Sequence, residues 1–214
     1  MICVSISEPG FTRCMALVRQ YDFVEIRLDG ADFTLDQIQQ LFQEGTKTIA
    51  TFRPGRQGDN HRAASLKAAI QAGANMVDIE AEALQSYRED LLAVARKNAC
   101  AIIISSHNCQ ETPDISTLQE ILGNCYKLGA DIAKIACQVN HVNDATRLIS
   151  LHEMEGRKIV IGMGDQGRFT RIAGFYFGSE FCYAFPDNSR GTAPGQISYS
   201  AMSAILQSIN QNLL

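Results

Sequence analysis

Several things are scarce in this sequence, and each scarcity removes a class of protein. No apolar run approaches the roughly 18 residues that a membrane-crossing helix requires, so the chain does not read as a helical membrane protein. There is no basic stripe and no ladder of aromatic residues. With a net charge of −4 and a pI near 5.6, this argues against a nucleic-acid binder. No charged segment precedes the apolar run at Ile2, so the N-terminus does not read as a signal peptide. The seven cysteines, Cys3, Cys14, Cys100, Cys109, Cys125, Cys137 and Cys182, form no C-x-x-C pair and have no metal-ligand spacing. Most sit in apolar contexts, where a free thiol behaves as a small hydrophobe, which fits a reducing cytoplasm. No low-complexity linker or break divides the chain. Residues 1–214 therefore read as one domain, large enough to bury most of its chain surface in a single core.

What the chain does contain is alternation. Eight strand-like runs can be read: Ile2–Ile6, Phe23–Leu28, Thr48–Arg53, Asn75–Glu80, Cys100–Ser106, Asp131–Ala136, Lys158–Met163 and Glu180–Phe185. Helical patterns fill the gaps, among them Thr34–Gln43, Arg62–Ala72, Leu84–Arg96, Ile115–Leu128 and Val142–Glu155. Gly45, Gly73, Gly129 and Gly156 follow helical segments where a left-handed stop is wanted. The last 17 residues place Met202, Ile205, Leu206 and Ile209 on one face, as a closing amphipathic helix would. Eight βα units in a row predict a (β/α)8 barrel, with an open doubly wound sheet as the runner-up. The length is below the typical ~250 residues of a barrel, so its loops should be trim.

One of these runs carries a charge out of keeping with its surroundings. Ala130–Ala136, the stretch ADIAKIA, is short, apolar and preceded by Gly129, yet it holds Lys134. An ammonium in a buried strand must be paired, must reach water, or must serve chemistry, because burying it alone costs several kcal/mol or more. A desolvated lysine has a lowered pKa, and the neutral amine is the form that attacks a ketone to give a Schiff base. A strand-end lysine reaching solvent would account for Lys134 taken by itself. Its company argues otherwise. Glu25 and Arg27, Arg53, Asp78 and Glu80, His107 and Lys134 fall near the C-terminal ends of five consecutive strands, where barrel enzymes build their active sites. Beside a Schiff-base lysine, His107 becomes a proton shuttle, and Glu80 can orient it or hold its proton. Arg27, Arg53 and Arg171 suit an anionic or polyhydroxyl substrate, since guanidinium binds carboxylate in bidentate fashion.

Two other stretches bear on function. Gly162-Met-Gly164-Asp-Gln-Gly167 matches the dinucleotide fingerprint after a strand, but too little chain follows it to build a nucleotide-binding half-domain. A turn after the seventh strand is the better reading, whose amides, with Arg171, can receive an anion. Asp187–Gln196, rich in small polar residues and glycine, follows the eighth strand and reads as a loop or as a lid that excludes water.

With these residues assembled, the chain closely resembles the type I 3-dehydroquinate dehydratases, the Schiff-base enzymes of the shikimate pathway. The resemblance is carried by EIRLD at Glu25–Asp29, TFR at Thr51–Arg53, VDIE at Val77–Glu80, SSHN at Ser105–Asn108 and AKIA at Ala133–Ala136. Further along it is carried by GM at Gly162–Met163, TRIAG at Thr170–Gly174 and TAPGQ at Thr192–Gln196. It implies a lyase that dehydrates 3-dehydroquinate to 3-dehydroshikimate, with Lys134 forming the imine, His107 as general acid and base, and Glu80 as its partner. It further implies Glu25, Arg27 and Arg53 as hydroxyl-binding and positioning groups and Arg171 as a carboxylate clamp. Thr192 and Gln196 then lie on the closing loop, and Met163 and Tyr183 line the site. Such a reaction needs no metal and no nucleotide cofactor, and the resemblance also implies a cytoplasmic homodimer.

The departures are mild. Thr192 stands where the family often has Ser, Asn108 where it has Asp, and Ile161 near a second Met. The first strand begins at Ile2 without the N-terminal hairpin common in the family. The alternatives are a class I aldolase, which shares the barrel and imine lysine, and a catalytically silent barrel used for binding. A nicotinamide oxidoreductase is more distant.

Overall fold

The structure is a computed structural model that describes residues 1–55, 57–189 and 191–211. Arg190, inside the predicted lid, and the last three residues of the predicted closing helix lie outside the described residues. The chain alternates strand and helix eight times: β1 (Ile2–Ile6), α1 (Phe11–Gln20), β2 (Phe23–Arg27), α2 (Leu35–Phe42), β3 (Lys47–Thr51), α3 (Asp59–Gln71), β4 (Met76–Glu80) and α4 (Gln85–Lys97). It continues with β5 (Ala101–Asn108), α5 (Ile115–Lys127), β6 (Ile132–Gln138), α6 (Val142–Ser150), β7 (Lys158–Met163), α7 (Arg168–Tyr176), β8 (Cys182–Ala184) and α8 (Tyr199–Gln211). This is a (β/α)8 barrel, as the sequence predicts. No helix among the described residues is long and apolar enough to cross a membrane.

The chain forms two compact units. In the first (residues 6–105 and 126–131), β2, β3, β4 and β5 lie side by side in that order, all parallel. Their burial is continuous along each strand rather than alternating, as expected where both faces of a parallel sheet are covered. The second unit (residues 1–5, 106–125 and 132 onward) pairs β6 with β7 and β1 with β8. There Cys182, Ala184, Ile197, Met202 and Leu206 form a cluster that seats α8.

Local chemistry sets the element ends. Thr34 and Gln37 close a reciprocal capping box at the start of α2. The glycines at 45, 73, 129 and 156 all have positive φ, from 79° to 109°. Gly73 and Gly129 directly follow the caps of α3 and α5 and serve as the predicted left-handed stops, whereas Gly45 and Gly156 turn the chain further beyond the ends of α2 and α6. After α4, Ala99 takes that conformation instead, at φ 53°. Several predicted ends move. β2 stops at Arg27 because Leu28 opens a 3-10 turn, and β3 stops at Thr51, which leaves Arg53 beyond the strand. The predicted helix Val142–Glu155 ends at Ser150 and tightens into a 3-10 turn at Leu151–Glu153. The Ser150 hydroxyl donates to the Arg147 carbonyl at 2.8 Å, a local bond that competes with the helical ladder. β8 shortens to three residues.

None of the seven cysteines is in a disulfide, and Cys109 alone among them is exposed. Burial pushes the thiols of Cys14, Cys100 and Cys137 up to about 12 and that of Cys182 to about 11.

Asp114 caps α5. It accepts from the Ser116 hydroxyl (2.6 Å), the Thr117 amide (2.9 Å) and the Thr117 hydroxyl (3.1 Å), which holds its carboxyl down to about 2. A carboxyl depressed in the folded state adds stability that is present above its unfolded value and is lost as pH falls through its folded one. Asp114→Ala should therefore lower the urea midpoint at neutral pH. The gap from the parent should close as pH drops from about 4 towards 2, which urea titrations at stepped pH will read. A gap independent of pH would assign the effect to something other than the carboxylate.

Candidate active site

In the first unit, the predicted charges of β2, β3 and β4 form one connected network. Sheet register sets it up by placing Thr51 beside both Arg27 and Asp78, and Glu80 beside Ser105. Glu25, 4% exposed, accepts from the Thr51 hydroxyl at 3.0 Å. Arg27 forms a two-pronged pair with Asp29 at 2.8 and 2.9 Å. Despite the opposing effect of burial, this pair keeps the Asp29 carboxyl below the usual range and raises Arg27 above its ordinary value. Asp29 also accepts from the Arg53 amide at 3.3 Å, which fixes the chain where it leaves β3.

The Arg53 guanidinium is the hub. Its Nη2 donates to Asp78 Oδ2 (2.8 Å), and its Nη1 to Glu80 Oε1 (2.7 Å) and the Ser105 hydroxyl (3.0 Å). Ser105 in turn donates to Asp78 Oδ1 at 2.5 Å. Burial alone would lower the pKa of this arginine, but Asp78 and Glu80 outweigh it and the group is raised. The second oxygen of Glu80 accepts from Arg62 Nη2 at 2.9 Å. Both carboxylate oxygens of Glu80 are thus held by guanidinium groups.

Arg62 is a member that sequence reasoning missed. The sequence pattern starts this helix at Arg62, whereas α3 starts at Asp59 and buries Arg62 to 4% exposure. The signal was available in its spacing, since Arg62 shares helical phase with the buried Leu66, Ala69 and Ile70.

In the second unit, β6 carries Lys134 as the sequence predicts, in a strand that is buried throughout up to Gln138. Lys134 is 4% exposed, and its Nζ donates to the Tyr183 hydroxyl at 3.2 Å. The same ammonium lies 4.5 Å from the Tyr183 ring centroid, a cation–π contact in a desolvated setting. Phe181 packs edge-on against that ring at 5.3 Å. His107 stands exposed at the end of β5, and Met163 is buried at the end of β7.

The glycine-rich turn after β7 is a close-packing device. A Cβ on Gly162 would meet Thr170 Oγ1 at 2.8 Å, and one on Gly167 would meet Gly162 backbone at 2.4 Å. Gly164 has φ 79° and would strike the Gln138 side chain at 2.5 Å. Thr170, itself buried, binds the turn by accepting from the Gly162 amide and donating to the Gly167 carbonyl, each at 2.7 Å. Above this turn lies the predicted lid. Pro194 accepts from the Gly164 amide at 3.3 Å, and a Cβ on Gly195 would meet the Gly164 carbonyl oxygen. Gln196 is folded back into its own loop, where its Oε1 accepts from the Thr192 amide (2.6 Å) and the Ala193 amide (3.3 Å). The Thr192 hydroxyl lies 3.1 Å from that of Ser5.

Arg171 sits under this loop, 4% exposed. Its Nη2 makes one long bond, 3.4 Å, to the Pro194 carbonyl, and its buried Nε makes none. Among the described residues it forms no ion pair, and burial pushes its pKa down to about 10. A buried guanidinium this short of partners is a ready receptor for a carboxylate.

The family model for type I 3-dehydroquinase matches residues 2–213. The 3-dehydroquinate dehydratase of Methanothermobacter thermautotrophicus is 36% identical, over 92% of this chain and 91% of its own. That of Methanococcus maripaludis (strain C7) is 32% identical, over 98% of this chain and 100% of its own. The crystal structure of the Aquifex aeolicus 3-dehydroquinate dehydratase superposes with a TM-score of 0.84 at 29% identity, covering 97% of this chain and 98% of the other.

Proposed function

The chain belongs to the type I 3-dehydroquinase family, and from that premise we infer which of its residues carry the dehydration of 3-dehydroquinate to 3-dehydroshikimate. The observation that carries the assignment is Lys134, an amine almost fully buried on β6 and directed onto the hydroxyl and ring of Tyr183. The amine attacks the substrate ketone, and loss of water leaves an iminium. That iminium acts as an electron sink and acidifies the neighbouring carbon. His107 takes the proton from this carbon, and its electron pair forms the new double bond as the hydroxyl one carbon further on departs. His107 returns the proton to that leaving hydroxyl, so water is released. A second water then hydrolyses the imine and frees Lys134 and the enone.

The other roles follow from charge and placement. Arg171, with its Nε unmade and no ion pair among the described residues, takes the substrate carboxylate, and Thr192, Gln196 and Met163 border it from the loop and β7. Glu25, Arg27 and Arg53 address the substrate hydroxyls from the carboxylate–guanidinium network. Glu80 holds Arg53, and the resemblance of its VDIE motif to the family gives it the role of partner to His107. The match over residues 2–213 supports one catalytic domain, the low pI supports an enzyme that binds no nucleic acid, and cysteines outside any disulfide support a reducing cytoplasm. A homodimer completes the proposal.

The test is borohydride reduction with 3-dehydroquinate present, followed by peptide mapping by mass spectrometry. A ligand-dependent adduct on Lys134, with enone formed in the unreduced reaction, is the expected result. An adduct on another lysine, or none on folded protein, overturns the assignment.

A further inference from the structure

Arg62 has no part in the chemistry proposed above, yet it reaches Arg53 from two directions at once. Its Nε and Nη2 donate to the Phe52 carbonyl at 3.3 and 3.0 Å, the peptide group that joins Phe52 to Arg53. The same Nη2 donates to Glu80 Oε2 at 2.9 Å, while Glu80 Oε1 accepts from Arg53 Nη1 at 2.7 Å. One guanidinium therefore fixes the backbone just before Arg53 and, through a shared carboxylate, the head of the Arg53 side chain. The need for such a fixture is clear from the strand ends: β3 stops at Thr51, so no sheet ladder holds Arg53 in place.

Arg62 is itself firmly held. It is 4% exposed, its Nη1 donates to Asp59 at 2.7 Å, and its guanidinium carbon lies 5.0 Å from the Tyr87 ring centroid. Three elements converge on it: α3 supplies the arginine, α4 the ring, and β4 the carboxylate. A fork with several donors in one plane suits this task in a way that a lysine does not, because a single ammonium cannot span the carbonyl and the carboxylate in the same geometry.

We propose that Arg62 is a positioning residue for the dehydratase reaction, holding Arg53 in its substrate-binding geometry through the Phe52 carbonyl and Glu80. The proposal rests on the reading of Arg53 as a substrate-binding group. A displacement of about 1 Å in such a group can cost on the order of 100-fold in rate. Arg62→Lys is accordingly expected to lower kcat/KM for 3-dehydroquinate by about 10- to 100-fold, with the circular dichroism spectrum unchanged.

The deciding measurement is a double-mutant cycle with Arg53→Ala, read as kcat/KM on full-length protein. If Arg62 acts through Arg53, its substitution costs little once Arg53 is gone. An Arg62→Lys loss of equal size in both backgrounds would show a general structural role and overturn the proposal, as would no loss in the parent. Unchanged kcat/KM in Arg53→Ala alone would instead defeat the reading of Arg53 itself. Should Arg62→Lys not fold, Arg62→Gln, which keeps a donor for the Phe52 carbonyl and drops the charge, enters the same cycle under the same criteria.

Discussion

Lys134→Ala should abolish turnover of 3-dehydroquinate, with kcat falling about 10⁴-fold or more, the scale seen when a covalent nucleophile is removed. The fold should survive. Lys134 is one residue in a strand whose neighbours Ile132, Ala133, Ile135 and Ala136 are all buried and remain in place. The change also removes a charge that had to be taken out of water. Steady-state assay of enone formation and a circular dichroism spectrum on the same sample separate the two effects. Lys134→Met, which keeps most of the stem volume, should behave in the same way. A folded variant whose kcat stays close to that of the parent would remove the Schiff base from the account, because no other group in the proposal forms the covalent bond.

His107→Ala should fail at a different point. The amine of Lys134 is still present, so the imine forms, but the proton on the neighbouring carbon has no base and the departing hydroxyl no acid. General acid–base catalysis of this kind contributes about 10²- to 10⁴-fold, and kcat should fall by that amount. The distinguishing sign is accumulation. Borohydride reduction of His107→Ala with substrate should trap the Lys134 adduct at least as fully as in the parent, while Lys134→Ala traps nothing. An adduct lost together with activity in His107→Ala would place the histidine in imine formation rather than in elimination. Glu80→Gln adds a refinement. If the carboxylate attends His107 as well as Arg53, the acid limb of the pH–rate profile should move along with kcat/KM.

The sequence carried the parts of this picture that depend on local pattern. Lys134 stood out because a charge interrupts an apolar run of strand length, and the structure buries it where that reasoning put it. The left-handed turns at Gly45, Gly73, Gly129 and Gly156 were legible because such backbone has a strong residue preference, and at Gly73 and Gly129 they do end helices. Ala99 was not, because alanine gives no such signal. The network around Arg53 was visible only as a set of charges. Its connections depend on register, which brings Glu80 beside Ser105 and Thr51 beside Asp78 although these residues are far apart in sequence. The glycine-rich stretch after β7 is a turn, as the sequence reading has it, although its spacing imitates a nucleotide fingerprint. Gly162, Gly164 and Gly167 are required by Thr170, Gln138 and each other's backbone, a packing need that shares its spacing with a nucleotide fingerprint. Gln196 shows the opposite limit: its position on the loop was foreseen, but its hydrogen bonds to Thr192 and Ala193 were not.

The distribution of thiols has a practical consequence. Six of the seven are buried, and burial holds several of them protonated, so a thiol-reactive dye at neutral pH has one open target, Cys109. That residue follows directly on the end of β5, two positions after His107. The native chain therefore carries its own attachment point for an optical reporter beside the histidine proposed to move the proton. Ligand arrival can be followed by fluorescence in real time without engineering a single cysteine in or out.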